Sequence, residues 1–492
     1  MRHRAFGIAL ALALASTCVG EDLLLTRRDA LVSALERNPS LAGLKLLRRA
    51  ARADLYAADA TWDPEAYAEA SYSYSEARSR INPLITGGID TEISDARSAA
   101  FGVKGLTPIG ATWDLSWETA RDWTNSAFYA LNPAYDSIAA LDVSFPLLRG
   151  GWYTGERLAV DLAGAGSERA EAELLAGAAQ TLLDVEMAYW TLSAARSQVE
   201  VREVSLRRAT DLLDEARKRF DVGQLIRAEV LAAEAGVAAR RVELIVAQDA
   251  RRDAEDALKE LLGLTEERLS DAVVPLEEPA GEPAAFDEAD VLKTAFSQRP
   301  ELKVTQAELE AQRARVALAR RERLPRLDLT AGFRYTGLDS DVSASADDLA
   351  RMDHEAWVVG VAASWPLGGR AARSGLEAGR LRLAALTEQA REVRLSVARE
   401  VRDAVRQVAS DTERISATLA AREAQRLHLE DERKRFSAGL ATASDVLLYE
   451  EELASAEAGY QTARTDLAAS IARVSWARGT YLSDNGFEVI DE

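Results

Sequence analysis

The chain has 492 residues, and its 60 Lys and Arg against 80 Asp and Glu leave a formal net charge of −20, which argues against nucleic-acid binding through bulk positive charge. Three histidines (His3, His354, His428) and one cysteine (Cys18) cannot build a disulfide framework or a His/Cys zinc cluster, so most metalloenzyme and thiol chemistry is excluded. The apolar share of 48% is enough for a sizeable core, and the acidic balance points to proteins or cationic solutes as partners.

Arg2 and Arg4 precede the apolar run Ala5 to Ala15 and the small residues Ser16 to Gly20, so residues 1–20 read as a secretory signal peptide, with the exported chain starting near Glu21. The run is shorter than the ~20 residues a membrane-spanning helix needs. Lipid attachment at Cys18 is the competing reading, although Ala15-Ser16-Thr17 is a poor match to a lipoprotein cleavage box. Beyond this leader no long apolar run occurs, so any passage through a membrane must be as a β-barrel, which satisfies its backbone internally.

The rest of the chain is written twice. Asn38-Pro39-Ser40-Leu41 and Pro64 return as Arg299-Pro300-Glu301-Leu302 and Pro325, both shifted by 261 positions. Ser144-Phe145-Pro146-Leu147 answers Ser364-Trp365-Pro366-Leu367, and Arg217-Lys218-Arg219-Phe220 with Gly223 returns 216 positions later as Arg433-Lys434-Arg435-Phe436 with Gly439. A first repeat is expected over 21–263 and a second over 286–492. A Pro/Glu-rich linker over 264–285, including Pro275 to Pro283, joins them. The shrinking offset places the length difference between Pro64 and Pro146.

Strands are expected over about 66–146 and about 327–366. From Ala111 to Glu118, Ala111, Trp113, Leu115 and Trp117 alternate with Thr112, Asp114, Ser116 and Glu118, a period of two without exception. Leu327, Leu329, Ala331, Phe333 and Tyr335 alternate in the same way with polar neighbours, as do Leu141, Val143 and Phe145. Strands of this length, apolar on one side and rich in Tyr and Trp, carry the signature of an outer-membrane barrel, with the half-buried sheet of a soluble protein as the alternative.

Each strand region is followed by heptads. Val185, Leu192, Val199, Leu206, Leu213 and Phe220 fall every seventh residue, Ala209 and Ala216 line the adjoining seam, and Gly164 and Gly166 are candidate interruptions nearer the start. The copy reads Val401, Val408, Ile415, Leu429 and Phe436, broken by Arg422, and the return helix carries Val446, Leu453, Tyr460, Leu467, Val474 and Tyr481. Helical hairpins with tips at 220–229 and 436–445 are therefore expected. A plain antiparallel coiled-coil rod is the alternative on the helices alone. Catalysis finds no support, because none of Glu450, Glu451 or Glu452 has a neighbouring histidine, cysteine or glycine-rich phosphate loop, so no catalytic residue, metal or cofactor is expected.

The opening-helix residues Leu31, Ala34, Leu35, Asn38-Pro39 and Leu41, the Phe145-Pro146-Leu147 turn and the tips Arg219-Phe220-Asp221-Val222-Gly223 and Arg435-Phe436-Ser437-Ala438-Gly439 together resemble the TolC-like outer-membrane efflux protein family. The resemblance implies a mixed α and β fold in which a homotrimer shares one β-barrel among outer-membrane lipid, continued by a periplasmic antiparallel coiled-coil α-barrel. It implies a passive conduit of a tripartite efflux pump or a type I secretion system. The glycine turns would be the docking tips (Phe220, Val222, Gly223, Phe436, Ala438, Gly439) for a periplasmic adaptor protein of an inner-membrane pump. Glu229 and Asp445 occupy the positions of the family's gate acids. Phe436 stands where the family has a tyrosine, Ala441 where it has an arginine and Leu448 where it has a second acid, so its usual lock is in doubt. Arg227 is expected to pair with Asp445 across neighbouring helix pairs instead, with a solvated surface charge as the alternative reading of Arg227. A periplasmic structural spacer whose strands form a soluble cap is the second function class.

A barrel must close to remove its edges, and one chain supplies too few strands, so several copies must share the sheet. Family members usually contribute two strands per half. Here residues 64–146 leave room for four, with Thr107-Pro108-Ile109-Gly110 as a tight turn between the middle two. The alternative is a long external loop over 79–137.

Overall fold

The structure is a computed structural model describing residues 22–78, 90–127, 129–264, 268, 270–279, 281–282 and 284–488. The signal-peptide reading, with Cys18, lies outside them. In chain order the strands and helices begin with β1 (Leu23–Leu25), α1 (Arg27–Arg37), α2 (Pro39–Asp59), β2 (Glu65–Arg78), β3 (Thr91–Leu106), β4 (Thr112–Thr124), β5 (Ala134–Pro146) and α3 (Gly155–Asp221). There follow α4 (Arg227–Leu262), β6 (Val273–Pro275), α5 (Glu288–Gln298), α6 (Pro300–Arg321), β7 (Arg326–Asp339), α7 (Val342–Arg351), β8 (Glu355–Ser364), α8 (Arg370–Ser437), α9 (Ala443–Arg478) and α10 (Tyr481–Asp484). These elements form two compact units.

The unit made of Leu46–Glu173 and Glu301–Arg394 holds one antiparallel sheet of six strands in the order β2-β3-β4-β5-β7-β8. Four strands thus come from the first half of the chain and two from the second. Of the two readings for 79–137, the structure has the hairpin: Thr107 N donates to Ala111 O at 2.8 Å, and Gly110, with φ +88°, closes the turn between β3 and β4. The alternating segments lie in strands, apart from Ala111 in the turn before β4, and one face of each carries Ala, Val, Leu and aromatic residues that pair across the register. A helix that the alternation did not foretell, α7, follows β7 and packs on β5 and β7. Asp341 caps it, accepting from Ser343 N and Ala344 N, and Ser345 meets Ser137 side chain to side chain at 2.9 Å, both fully buried. Gly337 makes the contact possible, since a Cβ there would lie 2.3 Å from Ser345 O.

The second unit takes in the described residues up to Lys45, Leu174–Pro300 and those from Leu395 on. Its core joins Leu31, Leu182, Val185, Tyr189, Leu192, Leu258, Leu262 and Tyr481. β1 pairs in parallel with β6, so part of the expected linker is built into this core, with Val273 fully buried. The Asn38-Pro39 motif has a local cause: the Asn38 Oδ1 accepts from Ser40 N and Leu41 N, and Pro39 starts α2 where no intrahelical donor is needed. In the second copy Arg299 replaces that cap and stacks 4.2 Å over Trp476 while reaching Glu400 at 2.7 Å. The heptads are a packing seam: Val446, Leu453, Leu467 and Val474 of the return helix α9 are all buried, and Tyr481, which the heptad count put on the same helix, is buried at the start of α10 beyond the Gly479 cap. Arg422, the one break, lies 4.6 Å over the ring of Tyr460, itself a heptad position, so its stem and guanidinium fill the gap. Gly164 and Gly166 do not interrupt α3, which runs unbroken through both.

Candidate functional site

Two places carry the chemistry that the sequence points to, and the sheet is the first. Its register runs one residue row across all six strands: Glu65, Lys104, Asp114, Asp142, Gly332 and Val358. The next row, on the opposite face, reads Ala66, Val103, Leu115, Leu141, Phe333 and Trp357. Side chains alternate sides along a strand, so one face is polar and acidic while the other is apolar. The apolar face runs from the row of Phe145, Leu329 and Val361 to the row of Tyr72, Arg97, Arg121, Tyr135 and Asp339. Those five steps of two residues span roughly 34 Å along the strands, or about 26 Å of height at a 40° tilt, close to the ~25 Å apolar band of an outer-membrane barrel. Charge and aromatic rings gather where that band ends: Arg121 bonds Asp95 at 2.9 Å, and Arg97 lies 5.6 Å over the ring of Tyr72. Among the described residues no helix is long and apolar enough to cross a membrane.

The hairpin tips are the second place. Gly223 N donates to Phe220 O at 2.9 Å and Gln224 N to Arg219 O at 2.8 Å; Gly439 N donates to Phe436 O at 3.0 Å and Leu440 N to Arg435 O at 2.9 Å. This is the same Schellman closure twice, each with its glycine at φ +75°, where a side chain is disfavoured. The six expected tip residues are not equivalent. Val222 is 69% exposed and Phe220 41%, and Gly223, Ala438 and Gly439 also lie at the surface, whereas Phe436 is only 3% exposed and packs with Leu212, Leu429, Val446 and Leu453. Ile226 and Leu440, 67% and 70% exposed, extend the apolar surface beyond the residues that the motif singled out.

The candidate gate residues take unequal positions as well. Asp445 closes a capping box on α9, accepting from Thr442 N at 2.9 Å and from the Thr442 hydroxyl at 2.7 Å, and these bonds hold its carboxyl below the usual aspartate range. Glu229 reaches the other tip and accepts from Ala443 N at 2.8 Å. Arg227 is exposed, and the described residues of one chain do not bring it into an ion pair with Asp445. The contacts that do tie the two hairpins escaped the sequence reading. Arg219 donates to Phe436 O at 3.0 Å and lies 5.0 Å over its ring, and Arg202 and Arg240 share Glu243 and Glu451 at 2.8–3.3 Å. Residues from α3, α4 and α9 meet there across long separations, which no local motif records. Among the described residues no cluster of His, Cys, Asp or Glu is arranged to hold a metal ion.

A comparison with curated protein sequences gives no match. The solved outer-membrane channel OprN shares the fold at a TM-score of 0.68 and 20% identity, over 92% of this chain and 90% of that one. The outer membrane protein VceC of Vibrio cholerae matches at 0.65 and 20% identity over 92% and 96%, and the open state of the Neisseria gonorrhoeae MtrE outer membrane channel at 0.64 and 18% over 93% and 89%. The profile of the outer membrane efflux protein family matches residues 114–264 and 291–480, one segment from each half. With two thirds of its length matched in this way, the chain belongs to the outer membrane efflux protein family.

Proposed function

We propose that the chain is the outer-membrane channel of a tripartite efflux pump or a type I secretion system, and that three copies share one barrel and conduct substrates passively from an inner-membrane pump to the exterior. The observation that carries this reading is the six-stranded sheet with one apolar and one acidic face on a chain of this family. Such a sheet has unpaired edges that bilayer lipid cannot satisfy, which favours closure with sister copies. The sheet's amphipathic height also weighs against the spacer reading, since a soluble cap has no need of a ~25 Å apolar band. Fractionation tests the reading directly: the protein sediments with outer membranes, resists an alkaline wash and gives a trimeric mass in detergent. Release by the wash would return the spacer.

The tips are the surface offered to a periplasmic adaptor, through Val222, Ile226 and Leu440 around the glycine turns. At the same end, Arg227 of one copy pairs with Asp445 of a neighbouring copy and holds the closed state. Support comes from an exposed Arg227 and from an Asp445 that Thr442 keeps ionised and oriented. Arg227→Ala raises the conductance of the isolated trimer in planar bilayers several-fold, and Arg227→Lys leaves it near the parent value. Unchanged conductance in Arg227→Ala sinks the pairing.

A further inference from the structure

The sheet leaves two strands with one side open, β2 over Glu65–Arg78 and β8 over Glu355–Ser364. An open edge inside a hydrocarbon layer strands a row of N–H and C=O groups, each costing several kcal/mol. β8 has none of the devices by which an edge that stays free is protected. From Ala356 to Ser364 it carries no charge and no proline, and Trp357, Val359 and Val361 are 72%, 61% and 66% exposed. It is built to be covered by another strand.

Direction decides which strand. The six strands alternate without exception, so β2 and β8 run opposite ways. A β8-to-β8 pair between copies would have to be antiparallel, which inverts one copy and puts its helices on the far side of the membrane. Copies inserted in the same sense can join only β8 to the β2 of the next copy, and that junction is antiparallel for any number of copies. It is also head-to-tail, the kind of interface that forms a ring where the rotation between copies closes, and a closed ring leaves no edge. The faces match across the junction as well: the odd residues Trp357, Val359 and Val361 continue the apolar face, which β2 presents through Ala66, Ala68 and Ala70.

We infer that three copies, the number in the function proposed above and on which this rests, close through three β8–β2 seams into a barrel of eighteen strands, six from each chain. The hairpin β3–β4 is what sets that size. β2 and β5 bracket it as β7 and β8 bracket nothing, and the tight turn at Thr107–Gly110 makes it a self-contained insertion of two strands. Two is the number that leaves alternation intact: with the hairpin removed, β2 and β5 are antiparallel neighbours of 14 and 13 residues, laid out like β7 and β8. Barrel diameter grows about linearly with strand number. The insertion therefore widens the membrane pore by about one half relative to a barrel of four strands per chain, into the size range that leaves an aqueous channel.

The test uses the full-length protein in outer membranes with Cys18→Ser, so that introduced thiols are the only ones. Trp357→Cys is combined in turn with Ala66→Cys, Ala68→Cys, Ala70→Cys and Tyr72→Cys, and Ala68→Cys with Phe101→Cys serves as the within-chain control that the register pairs directly. Oxidation is expected to join chains in at least one combination, giving a trimer ladder on non-reducing gels, and strand counting on images of the purified particle is expected to give eighteen. Deletion of Thr91–Thr124 is expected to give a trimer of twelve strands with a barrel about one third narrower. The seam is overturned if the control oxidises and no combination links copies, or if β8 links to β2 of the same chain, since one chain would then close its own sheet. A linked ring of two or four copies overturns the eighteen strands together with the trimeric reading, whereas a trimeric mass with no seam cross-link overturns the inference alone.

Discussion

Glu229 lies in the first turn of α4 yet serves another helix. Its carboxylate accepts from Ala443 N at 2.8 Å, the first amide of α9, across a separation of 214 residues. Helix N-termini leave their first amides without intrahelical partners, and Thr442 caps Asp445 N, so Glu229 satisfies a donor that the local capping box does not. Ala443 is fully buried, which leaves water little access to that amide. Loss of an N-cap acceptor costs about 1 kcal/mol, so Glu229→Ala is expected to lower the thermal midpoint of the purified channel, and Glu229→Gln, which keeps an acceptor, to restore most of the loss. Equal losses in the two variants would contradict the hydrogen-bond account and assign the effect to charge. Sequence alone marks Glu229 as an acid just past a glycine turn, at the position of the family's gate acid, and says nothing of this partner. Its partner is in the other repeat, and a contact between two copies of a motif is invisible to a search that aligns the copies.

At the scale of elements, the glycines separate into two kinds that look alike in the sequence. Gly223 and Gly439 sit at φ +75° with no atom within 4 Å of an added Cβ, so backbone conformation and not space is what they supply. Gly164 also has open space around an added Cβ, but lies inside the unbroken α3. Gly223→Ala and Gly439→Ala are therefore each expected to destabilise their hairpin by about 1 kcal/mol, while Gly164→Ala stabilises α3 by roughly 0.5–1 kcal/mol. Chemical denaturation of the three variants beside the parent reads the signs, and a stabilising Gly223→Ala would refute the left-handed cap. The same division explains what the sequence made legible. Heptads and period-two alternation are repeated signals that burial imposes over many residues, so the long helices and the two strand regions are visible before any coordinates, whereas the choice between the β3–β4 hairpin and a long loop over 79–137 needed the structure. α7 is not, because its ten residues, Val342 to Arg351, give less than three turns of helix and include two serines and two aspartates. The available signal was local: Asp341 stands as an N-cap just ahead of the segment.

For the molecule as a whole, the sorting of charge between the two faces of the sheet has a consequence for conduction. On the polar face, Lys104 pairs with Glu65 at 3.3 Å and Arg326 with Asp328 at 2.6 Å. That leaves Glu69, Glu92, Asp114, Glu118, Asp122, Asp136 and Asp142 on the same face against Arg334. If this face lines the water-filled interior, three copies triple the excess, and low-dielectric walls concentrate cations along it. The channel is then expected to prefer potassium to chloride at 0.1 M salt, measured as a reversal potential across a salt gradient in a planar bilayer. Asp114→Asn combined with Asp142→Asn, adjacent across β4 and β5, is expected to reduce that preference about twofold without altering trimer mass. Raising the salt to 1 M shortens the screening length to about 3 Å and weakens the preference in parent and variant alike. A selectivity located in the helical hairpins instead would survive both carboxylate replacements, and an anion preference at low salt would mean that the acidic face does not line the pore.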